Sequence, residues 1–425
     1  MTCKQATDYL LSFPRFSKKT GTQNVQKLLD ILGNPQDKLR FIHVAGTNGK
    51  GSVCTMLSSI LASSGYRTGL FISPYIVDFR ERIQINNQLI SEQTLVKAVT
   101  AVQNALKTCD VDNYCGFQIM TAVAFLCYLW ENCDIVVLET GIGGLNDSTN
   151  VVQNTLCSVF TTIDLDHTQV LGDTISAIAR EKSGIIKPNS NVVTATQHAD
   201  AMAQLIIASN QNNSKLHNIN DITLQNIGQS LDGMSFVYNG TDFECSLIGT
   251  FQQENIRVVL KTVEVINSID CGIKITIPAI KKGLKSVCHY ARFEVISKDP
   301  PVIIDGAHNL SGLTALKQTI NLVLPKGKKV AVIAMMSDKD VSNSLQVLNG
   351  VFDTVFVTGL ADNSRAMTTD NLYSIAKSNF DNVYPINDVK TALDKATALA
   401  RDLNCPLVIC GSLYLASCIR NMLLK

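Results

Sequence analysis

With 425 residues, the chain is long enough for two domains, at about 150 residues per domain. Apolar residues make up 46% of it and charged residues 17%, which supports large buried cores and excludes a disordered or fibrous protein. Lys and Arg number 37 against 36 Asp and Glu, a net charge of +1, so nucleic-acid binding by bulk attraction is not expected.

The first elements that the pattern predicts alternate between strands and helices. Phe41 to Val44 reads as a strand, and from Ser52 onward apolar residues recur at helical spacing along one face. Further apolar runs predict a strand ending at Ile72 and strands at 135–138 and 159–163, with a helix from Met120 to Trp130. Because these strands do not alternate in polarity, they predict a parallel sheet covered on both faces.

The second half of the chain begins with a less regular region. Residues 206–241 are rich in Asn, Gln and Ser and read as strands and turns within or beside the first domain. A second strand–helix series follows at 301–304, 329–334, 354–358 and 406–409, and Val295 to Pro300 is the candidate linker. The predicted fold class is therefore α/β, with a mostly parallel-sheet P-loop-type ATPase domain over 1–296 and a smaller, Rossmann-like α/β domain over 297–425.

Cysteine usage and the lack of apolar spans indicate the compartment. The thirteen Cys residues are scattered, and no CxxC pair or Cys/His cluster for zinc occurs. The N-terminus shows no signal-peptide pattern, and the most apolar run, Ala122 to Trp130, is far shorter than the roughly 20 residues of a membrane span. We expect free thiols, a cytoplasmic location and no membrane partner.

A glycine-rich segment follows the first predicted strand and precedes a helix. It comprises Asn48, Gly49, Lys50, Gly51 and Ser52, preceded by Gly46-Thr47. Glycines let backbone N–H groups approach a polyphosphate, the helix N-terminus favours its charge, and Lys50 adds a cation. The string is shorter than the standard P-loop, and the hydroxyl falls two places after the lysine. The alternative is a glycine-rich connector that binds nothing.

Polar side chains follow three further strands. Ser73 comes after the strand ending at Ile72, Glu139 after the strand at 135–138, and His167 in the Asp164–His167 stretch after the strand at 159–163. Ligands collect at the carboxyl ends of parallel strands, so these groups could complete the shell of a Mg²⁺ ion beside a triphosphate. Separately, Ser73 could be a turn hydroxyl, Glu139 a cap and His167 a loop hydrogen-bonding group.

An ordered set of motifs across the chain resembles the folylpolyglutamate synthase and dihydrofolate synthase family of Mur-type ligases. The first-domain motifs are His43 to Ser52, Ser73-Pro74, Phe79 to Ile83, Leu138 to Gly144, Asp166 to Thr168, Leu171-Gly172, Glu181 to Lys187, and Gly249 with Gln252 and Asn255. The second-domain motifs are Arg292 to Glu294, Asp305 to Asn309 and Gly411 to Tyr414.

The resemblance implies an ATP- and Mg²⁺-dependent ligase that activates a folate carboxylate as an acyl phosphate for attack by L-glutamate. It implies Ser73, Glu139 and His167 as metal ligands, and a monovalent cation as a further candidate. The ATP contacts it implies are Asn48, Gly49, Lys50, Gly51, Ser52, Asn255, Arg292 and Asp305. Residues with catalytic roles would be Lys50, Lys182, His308 and Asp305.

Lys182 matches a lysine that is carbamylated in the family, whereas without the family it could be a phosphate contact or a surface lysine. His308 could contact the acyl phosphate or glutamate, or only stabilise its own loop. Because residues of both domains are implied on one ligand, Val295 to Pro300 is predicted to act as a hinge for closure over the reactive intermediate.

Departures from the family pattern fall mostly on the folate side. Tyr75, Gln118 and Phe251 replace residues that are frequent in the family, and the segment 145–150 differs from its usual string. The residues implied in folate binding are Phe117, Gln118, Asn146, Asp147 and Ser148, and Ser17 to Thr22 shows no clear match to the dihydropteroate segment.

With these departures, the resemblance favours a folylpolyglutamate synthase acting on reduced folate, L-glutamate and ATP, and we expect a monomer. Dihydrofolate synthase activity is the alternative. A nucleotide-switch ATPase, another Mur-type ligase or a decayed binding protein are further alternatives, which the second-domain motifs and the retained charged residues disfavour.

Overall fold

The computed structural model describes residues 1–14, 21–324, 326–361 and 363–424. Within the predicted segment Ser17 to Thr22, Ser17 to Thr20 therefore lie outside the described residues. The chain divides into two compact units. The first comprises Met1–Tyr75, Phe79–Leu224 and Glu254–Val287, and the second comprises Ile76–Asp78, Gln225–Gln253 and Cys288–Lys425. The boundary expected after residue 296 stays a prediction.

The first unit is built on one large sheet with helices on both faces. Its strands are β1 Phe41–Ala45, β2 Thr68–Phe71, β3 Ile83–Ile85, β4 Gln88–Leu89, β5 Ile135–Glu139, β6 Thr155–Phe160, β7 Asn191–Thr194 and β8 Lys215–Asn218. Its helices are α1 Cys3–Leu11, α2 Gln23–Ile31, α3 Lys50–Ser63, α4 Glu92–Leu106, α5 Gly116–Trp130, α6 Thr168–Leu171, α7 Ile175–Ser183, α8 Ala199–Gln211, α9 Gln252–Ser268, which begins in the second unit, and α10 Ile277–Ser286.

The strand order of this sheet is β4-β3-β2-β5-β1-β6-β7-β8. In this spatial order, the six strands β2-β5-β1-β6-β7-β8 are all parallel to their neighbours. Strands β3 and β4 add an antiparallel edge beside β2. One core lies between the sheet and α1, α2, α4 and α5, and another between the sheet and α7 and α8. Both faces are thus covered, as the non-alternating strands predicted.

Helix α3 is more deeply buried than its sequence pattern indicated. The pattern predicted one apolar face, but every residue from Ser52 to Leu61 is buried. The reason is a second layer, because α10 packs so closely on α3 that a Cβ atom at Gly283 would lie 2.5 Å from Ile60 Cα. Ser59 Oγ donates a hydrogen bond to the Gly283 carbonyl at 2.8 Å across this contact.

The second unit contains two sheets. Its strands are β9 Gln225–Ser230, β10 Gly233–Tyr238, β11 Thr241–Cys245, β12 Glu294–Lys298, β13 Pro301–Ile304, β14 Val330–Ile333, β15 Thr354–Val357, β16 Asn382–Pro385 and β17 Leu407–Cys410. Its helices are α11 Leu310–Val323, α12 Val341–Val347, α13 Thr369–Ala376, α14 Val389–Asp402 and α15 Leu413–Leu423. The larger sheet has the order β12-β13-β17-β14-β15-β16 and is parallel except for β12, while β9 to β11 form an antiparallel sheet.

These two units confirm the predicted α/β fold class, with two corrections to its details. Val295 to Pro300 is not a linker, because β12 and its turn pair antiparallel with β13 inside the second unit. Because Val295 to Pro300 lies within the second unit, the hinge predicted there does not connect the two units. Residues 206–211 are the end of helix α8 rather than strand, and β9 to β11 belong to the second unit. Apolar residues lie on the exposed side of α8 as well, at Ile206 and Ile207, so its sequence lacks a clear amphipathic pattern.

None of the helices among the described residues is long and apolar enough to cross a membrane.

Candidate functional site

The glycine-rich segment of the first unit forms a loop between β1 and α3. Gly49 is the N-cap of α3 with φ +90°, a left-handed conformation that glycine adopts at little cost. The loop thus delivers the chain directly to a helix N-terminus, where unpaired backbone N–H groups favour phosphate. A helix of fourteen residues stands behind it, so the predicted phosphate loop has its expected local structure.

Neighbouring side chains are packed against both glycines of this loop. A Cβ atom at Gly46 would lie 1.8 Å from Thr161 Oγ1, and one at Gly49 would lie 2.3 Å from Asn255 Oδ1. Thr47 Oγ1 donates to the Asp164 carbonyl and accepts from the Asp164 amide, each at 2.9 Å. The loop is therefore fixed to the segment that follows β6, and Asn255 lies against its helix-proximal end.

Two lysines converge on one backbone oxygen of the loop. Lys50 Nζ and Lys182 Nζ donate to the Gly46 carbonyl at 3.0 and 2.7 Å. Lys182 is 4% exposed. Burial, and then the charge of Lys50, lower the pKa of Lys182 to about 7, although Asp166 and Asp147 partly offset this. Near neutral pH a large fraction of Lys182 is therefore an uncharged, nucleophilic amine.

The structure brings Ser73 and Glu139 together at the ends of β2 and β5. The Ser73 backbone N–H donates to Glu139 Oε2 at 2.8 Å, and Glu139 is 4% exposed. The Glu139 carboxylate and the Ser73 hydroxyl are oxygen donors of the kind that Mg²⁺ prefers, and Mg²⁺ keeps several waters besides. The donor set therefore fits this ion.

His167 lies at the start of the short helix α6, with φ +50°. Its backbone N–H donates to Asp166 Oδ1 at 2.8 Å, and its Nε2 lies 3.9 Å from Asp166 Oδ2. Among the described residues, no group of three or more His, Cys, Asp or Glu side chains is arranged to hold a metal ion. The predicted site needs only two such groups besides Ser73, and the role of His167 stays a prediction.

The loop between β5 and β6, residues 140–154, carries three of the predicted folate contacts. Asn146 is exposed, whereas Asp147 and Ser148 are buried. The Asp147 carboxylate accepts four hydrogen bonds: from the amides of Gly141, Ile142 and Thr149 at 2.9 to 3.0 Å, and from Thr149 Oγ1 at 2.6 Å. Burial raises the pKa of Asp147, and these bonds oppose that rise. The carboxylate thus organises the loop.

Phe117 and Gln118 lie in the first turn of α5. The Phe117 ring packs on Phe71 with centroids 5.7 Å apart and approaches Gly141 so closely that a Cβ atom there would lie 2.7 Å from the ring. Gln118 is buried, and its Oε1 accepts from the Cys115 amide at 3.1 Å. Gln118 therefore caps its own helix, and Phe117 borders the β5–β6 loop.

The second unit has its own cluster at the end of β13. Asp305 is 5% exposed and accepts from the amides of Phe293 and Ala307, each at 2.7 Å. Burial raises the pKa of Asp305, while the nearby Arg292 charge and these amides oppose that rise. His308 Nδ1 lies 2.8 Å from the Gly306 carbonyl, so it donates to that oxygen. We refer to Arg292, Asp305 and His308 as the Asp305 edge.

Arg292 lies in a backbone segment whose conformation is stabilised by contacts with Glu294 and Arg420. Its neighbours Ala291 and Phe293 have φ +54° and +45°, which is rare for residues with side chains. Glu294 Oε2 accepts from the Ala291 amide at 2.9 Å, and Arg420 Nε donates to Glu294 Oε1 at 2.8 Å. The Arg420 guanidinium in turn lies 3.7 Å from the Tyr290 ring centroid. These contacts stabilise a strained segment.

Comparison with known proteins identifies the family of this chain. Residues 44–263 match the Mur ligase middle domain, and residues 291–413 match the glutamate ligase domain of Mur ligases. A folylpolyglutamate synthase from Lacticaseibacillus casei is 34% identical over 100% of this chain and 99% of its own length. The chain belongs to the folylpolyglutamate synthase and dihydrofolate synthase family. Members of this family are ATP-dependent glutamate ligases of the Mur type.

Two further relatives bear on the activity within this family. A Bacillus subtilis protein named dihydrofolate synthase/folylpolyglutamate synthase is 33% identical over 96% of both chains. The Mycobacterium tuberculosis folylpolyglutamate synthase complexed with ADP and AMPPCP has a TM-score of 0.90 at 29% identity, covering 100% of this chain and 98% of the other. These relatives thus show the family and the fold of this chain.

Sequence reasoning missed several residues that support the site of this family member. Thr161 packs against the loop but carried no motif signal, and Arg420 is 126 residues away from Glu294 in the chain. His43 offered a detectable signal, because it is a polar residue at the centre of an otherwise apolar strand.

Proposed function

We propose that this chain is a folylpolyglutamate synthase, which adds L-glutamate to the terminal glutamate carboxylate of a reduced folate with hydrolysis of ATP. The observation that carries the proposal is the convergence of Lys50 and Lys182 on the Gly46 carbonyl at a helix N-terminus, in a unit where Glu139 is buried at a neighbouring strand end. A site with these charges suits a triphosphate and a divalent cation. The ADP and AMPPCP held by the Mycobacterium tuberculosis relative support nucleotide binding.

The proposed reaction has two steps. A folate carboxylate oxygen attacks the γ-phosphorus of ATP, the bond to the β,γ-bridging oxygen breaks, and an acyl phosphate and ADP result. The glutamate amine then attacks the acyl carbon, loses a proton, and the tetrahedral intermediate expels inorganic phosphate to leave an amide. Such phosphoryl transfer depends mainly on positioning and charge neutralisation.

The chain's own residues supply that positioning. In this proposal, backbone N–H groups from Asn48 to Ser52 bind the β- and γ-phosphates together with Lys50. Asn255 contacts ATP on its adenine side. Arg292 and Asp305 are proposed nucleotide contacts in the second unit, and His308 a contact of the acyl phosphate or glutamate. A fall in nucleotide affinity in Lys50→Ala tests the first of these assignments.

Ser73, Glu139 and His167 are proposed to hold Mg²⁺, with a monovalent cation nearby. When bound, Mg²⁺ would neutralise charge on the transferred phosphoryl group. Lys182 is proposed to be carbamylated, because a neutral amine attacks CO₂ and the pKa of this lysine is lowered to about 7. A mass increase of one CO₂ on the peptide containing Lys182, preserved by trapping, tests this assignment.

A bifunctional enzyme that also joins dihydropteroate to L-glutamate is the second candidate. The Bacillus subtilis relative, which carries both names, favours it. Purified protein with Mg-ATP and L-glutamate is given tetrahydrofolate or dihydropteroate, and phosphate release and product mass are measured. Product from tetrahydrofolate alone supports the synthase, and product from both supports the bifunctional enzyme. Glutamate-dependent phosphate release with neither acceptor would overturn the folate assignment.

Cytoplasmic location and a monomeric state complete the proposal. Light scattering at assay concentration tests the second, and a dimer mass would contradict it.

A further inference from the structure

A buried histidine at the centre of the large sheet is not used by the proposed mechanism. His43 lies on β1 and is 0% exposed. Burial, and then the charge of Lys187, lower the pKa of His43 to about 3, so its ring is neutral. Its Nδ1 has no hydrogen-bond partner among the residues that the structure describes. Burying a polar atom without a hydrogen bond destabilises a fold. A benefit of His43 therefore has to come from the contact of its other ring nitrogen.

That other nitrogen bonds to the β5–β6 loop. His43 Nε2 lies 2.8 Å from Thr149 Oγ1, and the same hydroxyl donates to Asp147 Oδ1 at 2.6 Å. Because a hydroxyl has one proton, Thr149 accepts from His43, which fixes the tautomer with the proton on Nε2. The chain of bonds continues from Asp147 to the amides of Gly141 and Ile142, two and three residues after Glu139.

A second buried side chain holds the same loop. Lys187 is 8% exposed, and its Nζ donates to both the backbone and the side-chain oxygen of Asn150, at 3.0 and 2.9 Å. Asn150 Nδ2 then donates to the carbonyls of Leu145 and Gly184, at 3.1 and 3.0 Å. Lys187 therefore fixes the loop at its far end, and through Asn150 it reaches Leu145.

The two bond chains hold buried residues that follow the exposed tip of the loop, Leu145-Asn146. Asp147, Ser148 and Thr149 are buried, whereas Leu145 and Asn146 are exposed. The tip is also tied to the α7 segment, since the Leu145 amide donates to the Glu181 carbonyl at 2.7 Å. A rigid base beneath an exposed tip is the arrangement by which a scaffold positions a binding loop.

We infer that His43 and Lys187 are positioning residues for the acceptor substrate, which act through Thr149 and Asn150 to fix the conformation of the β5–β6 loop. This inference rests on the proposed function, and on the sequence-based prediction that Asn146 to Ser148 contact the folate. Neither residue is proposed to touch the substrate. They contribute by ordering the loop before the acceptor binds, so that less conformational entropy is lost on binding.

The test removes the hydroxyl that links His43 to Asp147. In Thr149→Val, which keeps the shape of the side chain, the KM for the folate acceptor is expected to rise about tenfold while kcat and the nucleotide KM change less than about twofold. Thr149→Ser restores the hydroxyl and should restore the acceptor KM. Thr262→Val is the matched control, because Thr262 is a buried threonine whose hydroxyl donates within α9, to the Val258 carbonyl at 2.7 Å.

Thermal unfolding and nucleotide affinity establish that each variant is folded. If Thr149→Val does not fold, Lys187→Met carries the same test at the other end of the loop. An unchanged acceptor KM in a folded variant, or an equal rise in Thr262→Val, would overturn the inference. That result is distinct from failure of the proposed function, which would show in the wild type as glutamate-dependent phosphate release without any folate.

Discussion

The phosphate-loop edge of the first unit, which comprises Gly46 to Ser52 and Lys182, and the Asp305 edge of the second unit hold their charged side chains by different means. In the first, Lys50 and Lys182 share the Gly46 carbonyl, so the charges are bonded to the loop itself. In the second, Arg292 lies on a strained segment whose conformation depends on Glu294 and Arg420. We infer that the first edge is sensitive mainly to the charged groups, and the second also to the residues behind them.

Glu139→Gln is expected to have the largest effect. The change keeps the size of the side chain and removes its charge from the buried end of β5, so turnover should fall by about a thousandfold with little change in the unfolding temperature. Steady-state assays and thermal unfolding check this. Glu131→Gln, at a glutamate that pairs with Arg67, is the control and should remain active. Near wild-type turnover in Glu139→Gln would remove the proposed metal-ligand role.

Lys182→Ala is expected to lower turnover by about a hundredfold. If the wild-type side chain acts as a carbamate, a small carboxylate such as acetate should restore part of the activity of this variant, because it can replace the lost anion. Methylammonium should not. The opposite pattern, rescue by the amine, would show that Lys182 acts as a cation and would contradict carbamylation.

Glu294→Gln tests the support of the second edge. The single oxygen of the new amide can still accept a hydrogen bond, but its NH₂ group must face the Ala291 amide or Arg420, both of which are donors. We expect the nucleotide KM to rise about tenfold with a smaller change in kcat. Asp338→Asn is the control, because Asp338 pairs with Arg365 at 2.6 Å in the same unit. Equal effects in both variants would mean that the Glu294 contact has no special role.

The same contrast explains how much of the molecule could be predicted from sequence. The phosphate loop, Ser73 and Glu139 directly follow apolar strands, so local pattern was enough to place them at strand ends. The bond from Arg420 to Glu294 joins residues far apart in the chain, and no local pattern carries it. The error at Val295 to Pro300 arose similarly, since the prolines of its turn resemble a linker until β12 is seen paired with β13.

The smallest expected effect is on stability. The unfolding free energy should depend on pH in opposite directions through Lys182 in the first unit and Asp305 in the second. The pKa of Lys182 is lowered from 10.5 to about 7 in the folded state. The burial of this lysine therefore lowers the unfolding free energy by its full amount below pH 7, where both states keep the proton. This loss of stability declines as the pH rises towards 10.5, where the unfolded chain also loses the proton. Lys182→Met removes this loss, so its gain in unfolding free energy over the wild type should be largest near pH 7 and shrink towards alkaline pH.

Denaturant unfolding in CO₂-free buffer measures this difference, since carbamylation would otherwise alter the wild type. Lys107→Met, at an exposed position, corrects for the change in net charge. Asp305 shows the opposite direction, because burial raises the pKa of its carboxyl group and any cost of its ionisation grows as the pH rises above the unfolded value. A gain in Lys182→Met that stays constant with pH would mean that this lysine keeps its proton in the folded protein, and would remove the physical basis for its carbamylation.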